Sequence, residues 1–187
     1  MEILERTRSL VVPALVILLG TCLPAASLGQ AADEYQVKAA FVYNFAKFVQ
    51  WPPDAWQSPA EPIAICILGP DPFGHWLEDT VVGKSIEGRT LSTRHISAIK
   101  QAVGCHILFV ASAESKRAPS LLAELKTPGI LTIGDSDGSG AEGVVINFKL
   151  DGGKVRFDIN VDAAEREKLR ISPRLLSLAH IVESNRK

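Results

Sequence analysis

Hydrophobic and polar positions alternate with two periods along this chain, and the change of period predicts its elements. Residues 33–50, "DEYQVKAAFVYNFAKFVQ", step at about 100° per residue so that Asp33, Gln36, Lys47 and Gln50 share one narrow stripe. Phe41, Phe45 and Phe48 fall on the far side, and Trp51-Pro52-Pro53 ends the helix. An aromatic stripe of this kind packs into a core or meets another chain; core packing is the expectation.

Short runs then alternate with helical ones. Residues 63–68, 88–95, 106–110 and 129–135 read as strands. Between them lie a short helix in "DPFGHWLEDTVV" with Asp71 as its cap, a helical turn in "SAIKQAV", and a helix in "SAESKRAPSLLAELK" with Ser112 as its cap. "GVVINFKLDGGKVRFDINV" is a β-hairpin around "DGG". "DAAEREKLRI" and "SPRLLSLAHIVE" read as closing helices, the second capped at Ser172 with Pro173 in its first position. The fold expected is α/β: a largely parallel sheet with flanking helices, an αβα sandwich, with a C-terminal hairpin and two closing helices.

The first thirty residues stand apart. Arg6 and Arg8 precede the apolar run "LVVPALVILLG", and small residues follow in "PAASLGQAADEY". That order is a secretory signal peptide, cut after Gly29 or after Ala31, so residues 1–31 are leader and 32–187 a single domain. Cys22 in "LGTC" resembles a lipoprotein box, although Thr21 is an awkward residue before a modified cysteine. Without the leader the chain keeps 18 basic and 19 acidic residues. No basic stripe marks a nucleic-acid surface, and no later run is long enough to span a bilayer.

Two cysteines remain, Cys66 in "PIAICILG" and Cys105 in "GCHILFV", both at apolar strands. In an exported chain they admit one pairing, which would close a loop of about 40 residues; two buried free thiols are the alternative. Other chemistry is weaker. "GDSDG" matches a nucleophile elbow, with Asp158 or Asp162 and His180 following Ser136, but no helix follows the serine. Asp135, Asp137 and Glu142 could hold calcium, yet position twelve from Asp135 is Ile146, not the glutamate an EF-hand needs. "GKS" at 83–85 lacks the upstream glycine of a phosphate loop, and His75, His95, His106 and His180 lack metal-ligand spacing, so no metal or cofactor is expected. Arg156, Arg170 and Arg174 could line a small anion cleft.

Taken in order, "YQVKAAFVYNFAKFVQWP", "ICILGPDPFGHWLED", "GCHILFVA", "GILTIGD" and "VVINFKLDGGKVRFDIN…AAEREKLRISPRLLSLAHIV" resemble the YfiR-like periplasmic proteins, from Tyr35 to Val182. The resemblance implies a repressor and no enzyme. Such proteins act on the periplasmic sensor portion of an inner-membrane diguanylate cyclase, or of another membrane sensor, and lower cyclic di-GMP and biofilm formation. It further implies an outer-membrane lipoprotein as second partner, a dimer, and a disulfide mapping onto Cys66 and Cys105. The founding members' second, more C-terminal cysteine pair is missing, because no cysteine follows Cys105. Trp51, Trp56 and Trp76, with Arg156 and Arg174, are the candidate partner or ligand surface. The alternative is a periplasmic binding module for a small anion or metabolite, with its cleft at the strand ends near "ILGPDPFG".

Overall fold

The structure, a computed structural model, describes residues 26–126, 128–136 and 143–183, with side chains from Glu34 onward. Cys22 and most of the expected leader, together with Asp137 and Glu142 of the candidate calcium loop, lie outside the described residues.

Helix α1 (Ala26–Phe48) presents Ala39, Val42, Phe45 and Ala46 inward at helical spacing, all nearly inaccessible to solvent, and Val49 just beyond its end is buried with them. Gly29 and Ala31, after which the leader is expected to be cut, lie in its first turns, upstream of every side chain discussed below. After the short β1 (Val49–Gln50) come β2 (Ile63–Leu68), α2 (Trp76–Val81), β3 (Ser85–Ile86), β4 (Arg89–Ile96), β5 (Ile107–Val110), α3 (Ala118–Ala123) and β6 (Leu131–Asp135). The hairpin β7 (Ile146–Asp151) and β8 (Lys154–Asn160) follows, then α4 (Val161–Arg166), β9 (Arg170–Ile171), α5 (Pro173–Leu176) and β10 (His180–Val182).

Eight strands form one sheet in the order β10-β8-β7-β6-β5-β2-β4-β3, and β1 pairs separately with β9. Only β7–β8 and β3–β4 are antiparallel within it. The sheet is α/β and mostly parallel, flanked by helices. The hairpin turns through Gly152 and Gly153, both at positive φ (56° and 74°), as a tight reversal between twisted strands requires.

Alternation along the parallel strands sorts the core into two. Ile65 and Ile67 of β2 with Ile107 and Phe109 of β5 face α1, where Phe45 packs against Phe148 and Phe157 of the hairpin, with ring centroids 5.5 and 4.9 Å away. The aromatic stripe is core packing. Cys66, Leu68, Leu108 and Val110 face the opposite side, against Ile99, Leu121 and Ile130. There Cys66 and Cys105 form the disulfide, with Cα atoms 5.9 Å apart.

Three local expectations are corrected. Asp71 accepts a hydrogen bond from the Phe73 N–H at 2.8 Å and so caps a turn, while α2 begins after His75. Ser112 opens a 3-10 stretch, Ser112–Arg117, without capping it, and the α-helix starts only at Ala118 with Pro119 in its first turn. The last predicted helix stops at Leu176, and residues 180–182 pair in parallel with β8. The Ser172 cap is present: its hydroxyl accepts from the Arg174 N–H at 3.2 Å.

Candidate functional site

Polar side chains gather at both ends of the sheet. At the carboxyl ends of β5–β7, α1 carries Lys38 on the stripe that continues to Val42, Phe45 and Val49, so helical geometry buries a cation. Lys38 is 2% exposed, and its Nζ donates to Asp135 Oδ1 at 2.5 Å and pairs with Glu34 one turn earlier. The Tyr35 hydroxyl donates to Asp135 Oδ2 at 2.7 Å. Burial, and then the hydrogen bond to the Asp135 carboxylate, push the Tyr35 phenol well above its ordinary pKa. A cleft of about 260 Å³ opens over this network, with Ser112, Ser115, Ser136 and Lys149 on its walls.

Near "ILGPDPFG", the chain approaches the segment after β5 closely at Gly69. A Cβ on Gly69, whose φ is +93°, would meet Glu114 Cγ at 2.9 Å and Ala111 Cβ at 3.4 Å. The cleft over Asp135 lies farther along the sheet, toward β7. The arginines do not reach it: Arg156 is exposed opposite Lys149 in the hairpin, and Arg174 lies 5.5 Å from the Phe48 ring. The helix at Ser172 has only four residues, too few to make an anion site.

The elbow reading fails on topology. Gly134, Asn147, Asp158 and His180 share one cross-strand row, which places three strand spacings, about 14 Å, between β6 and β10. His180 Nδ1 lies 3.2 Å from Asp158 Oδ1, but Ser136 Oγ points to Asn147 Oδ1 at 3.4 Å. Asp158 is also paired with Lys149. The serine and the histidine belong to separate contacts.

At the amino end, Trp51 and Trp56 meet edge to face with centroids 5.9 Å apart. Trp51 Nε1–H donates to the His106 carbonyl at 3.1 Å, and the His106 ring stacks on Trp56 at 4.3 Å. Arg89 places its guanidinium 3.8 Å from the Trp56 centroid, held there by the Ser58 and Glu61 carbonyls at 3.0 and 2.8 Å. Both tryptophans are half-buried. Trp76 is elsewhere, at the start of α2 against His75. Two of the three predicted tryptophans thus converge, and the third does not.

His106 is 2% exposed, and its Nδ1 accepts from the Ala64 N–H at 3.2 Å. That fixes the neutral tautomer with its proton on Nε2, which has no hydrogen-bond partner among the described residues. Burial lowers its pKa, against weaker upward pulls from Glu61 and the Ala55 carbonyl, and the Arg89 charge adds least to the lowering.

The sequence profile of the YfiR/HmsC-like family matches residues 35–180, spanning both constellations and the whole sheet up to the first residue of β10. The chain belongs to the YfiR/HmsC-like family. A search of curated proteins finds no match. In this YfiR/HmsC-like protein, Tyr35, Lys38 and Arg89 join the candidate site without having been singled out from the sequence, and His106, considered there only as a metal ligand, joins it by its stack on Trp56. Lys38 had a visible signal, its place four residues before Val42 on the apolar stripe. Arg89 had none, because its contact with Trp56 joins segments 33 residues apart.

Proposed function

We propose that this protein is an exported repressor that binds the periplasmic sensor portion of an inner-membrane diguanylate cyclase and holds it inactive, lowering cyclic di-GMP and biofilm formation. The observation that carries this reading is membership of the YfiR/HmsC-like family over residues 35–180. Two features of the chain support it. A disulfide joins its only two cysteines beyond the leader, as an oxidising compartment allows. No helix among the described residues is long and apolar enough to cross a membrane.

The contact surface we assign is the Trp51–Trp56–Arg89 group, because half-buried tryptophans and an arginine are the residues that dominate interface energies. Repression then follows from differential affinity. Moving a sensor from 99% active to 99% inactive requires about 10⁴-fold tighter binding to the inactive state.

Binding of the disulfide-bonded mature chain to isolated periplasmic segments of the host's membrane cyclases, followed by biolayer interferometry, tests the reading. One segment should bind, and Trp56→Ser should weaken that binding at least ten-fold while the variant, less stable for the loss of its stack on His106, remains folded at the assay temperature. Failure of every segment to bind would overturn it. The small-metabolite reading retains one favourable observation, the 260 Å³ cleft above Asp135, and a ligand-induced rise in melting temperature is its test.

A further inference from the structure

A second cleft, of about 710 Å³, lies at the amino ends of β5 and β6 and belongs to neither polar constellation. Its volume falls within the roughly 300–1,000 Å³ of small-molecule sites. The walls are largely apolar: Ile99, Leu125, Pro128 and Ile130, with the disulfide-bonded Cys105 between them. Val103 stands on the lip at 78% exposed, the most exposed large apolar side chain described. Water in such a cleft finds few partners, so an apolar body displaces it favourably.

The rim sets the charge of the occupant. Lys100 and Lys126 both line the cleft, are exposed, and make no ion pair among the described residues. Of the two rim carboxylates, Asp54 is engaged by Lys168 at 3.6 Å, which leaves Glu124 alone against two ammonium groups. The unpaired balance is one positive charge.

We infer that this groove binds a small anionic amphiphile, with its apolar body between Ile99 and Ile130 and its acid group at Lys100 and Lys126. The site rests on the groove alone and is independent of the cyclase partnership. Its size fits one short-chain or bicyclic molecule.

The test titrates the mature, disulfide-bonded protein with two fluorescent probes, anionic 1-anilinonaphthalene-8-sulfonate and uncharged N-phenyl-1-naphthylamine. Both should bind saturably at one site and be displaced by decanoate. Ala123→Trp, at an exposed wall position, should abolish binding of both, and Val103→Asp, at the lip, should weaken both even if the first variant fails to fold. Lys100→Glu with Lys126→Glu should weaken the anionic probe about ten-fold and the uncharged one less than two-fold. Displacement by decanoate without co-flotation on phosphatidylglycerol vesicles would identify a free amphiphile, whereas flotation without displacement would overturn the inference. Absence of saturable binding, wild-type binding by both wall variants, or equal loss of both probes on charge reversal would also overturn it.

Discussion

His106 and Lys38 are both buried polar residues, and the difference in how they are satisfied sets what each does to stability. At His106 the Ala64 N–H occupies Nδ1, so a second proton would set two donors against each other, while Nε2 has no acceptor among the described residues. The folded chain therefore resists protonation, and the pKa lies below the ordinary 6.5. Above that pH the group costs nothing extra. As pH falls below it, the unfolded chain takes up a proton the folded chain refuses, so stability falls until the lowered folded pKa is reached, by at most about 1.4 kcal/mol per pH unit. His106→Phe should flatten the pH dependence of the thermal midpoint between pH 7.5 and 5.5; equal slopes for variant and wild type would contradict the assignment. Lys38 is fully engaged by Glu34 and Asp135. Lys38→Met leaves the Asp135 carboxylate buried without its cation and should cost about 3–5 kcal/mol in urea unfolding. Asp135→Asn in that background should recover part of the loss, because the uncompensated charge is then gone.

Among the elements, α1 and the hairpin join the layers through Phe41 and Phe45 against Phe148 and Phe157. Phe45→Ala should destabilise the protein by about 3–5 kcal/mol, seen as a lowered denaturation midpoint, since the site is fully buried. These elements were legible in the sequence because their signals are local: helical spacing of phenylalanines, and two glycines between alternating strands. The same holds for β2, whose predicted span 63–68 matches the observed Ile63–Leu68. Strand β10 was not legible. Its three residues are held by parallel pairing with β8, 22 residues away, and "SLAHIV" alone is as good a helix as a strand. The candidate site shows the same division. Trp51 and Trp56 stood out by residue type, but their separation from Trp76 depends on which end of the sheet each segment reaches, and no local pattern encodes that.

For the whole molecule, the disulfide ties β2 to the entry of β5 across 39 residues of chain, and Arg94 lies over it with Nη2 3.4 and 3.1 Å from the two sulfurs. Loop closure on that scale restricts the unfolded chain by about 4 kcal/mol. Cys66→Ala with Cys105→Ala should lower stability by that order, measured by urea unfolding of the oxidised wild type beside the variant. A fold that depends on this bond is fitted to the periplasm, where the proposed repressor would meet a cyclase. The most direct test is intracellular cyclic di-GMP in the native host, with and without this gene, complemented by the full-length chain or by a leaderless one. The expected result is a rise on deletion that the full-length chain reverses and the leaderless chain does not. Unchanged cyclic di-GMP on deletion, in a host that expresses the protein, would contradict a periplasmic brake on a diguanylate cyclase.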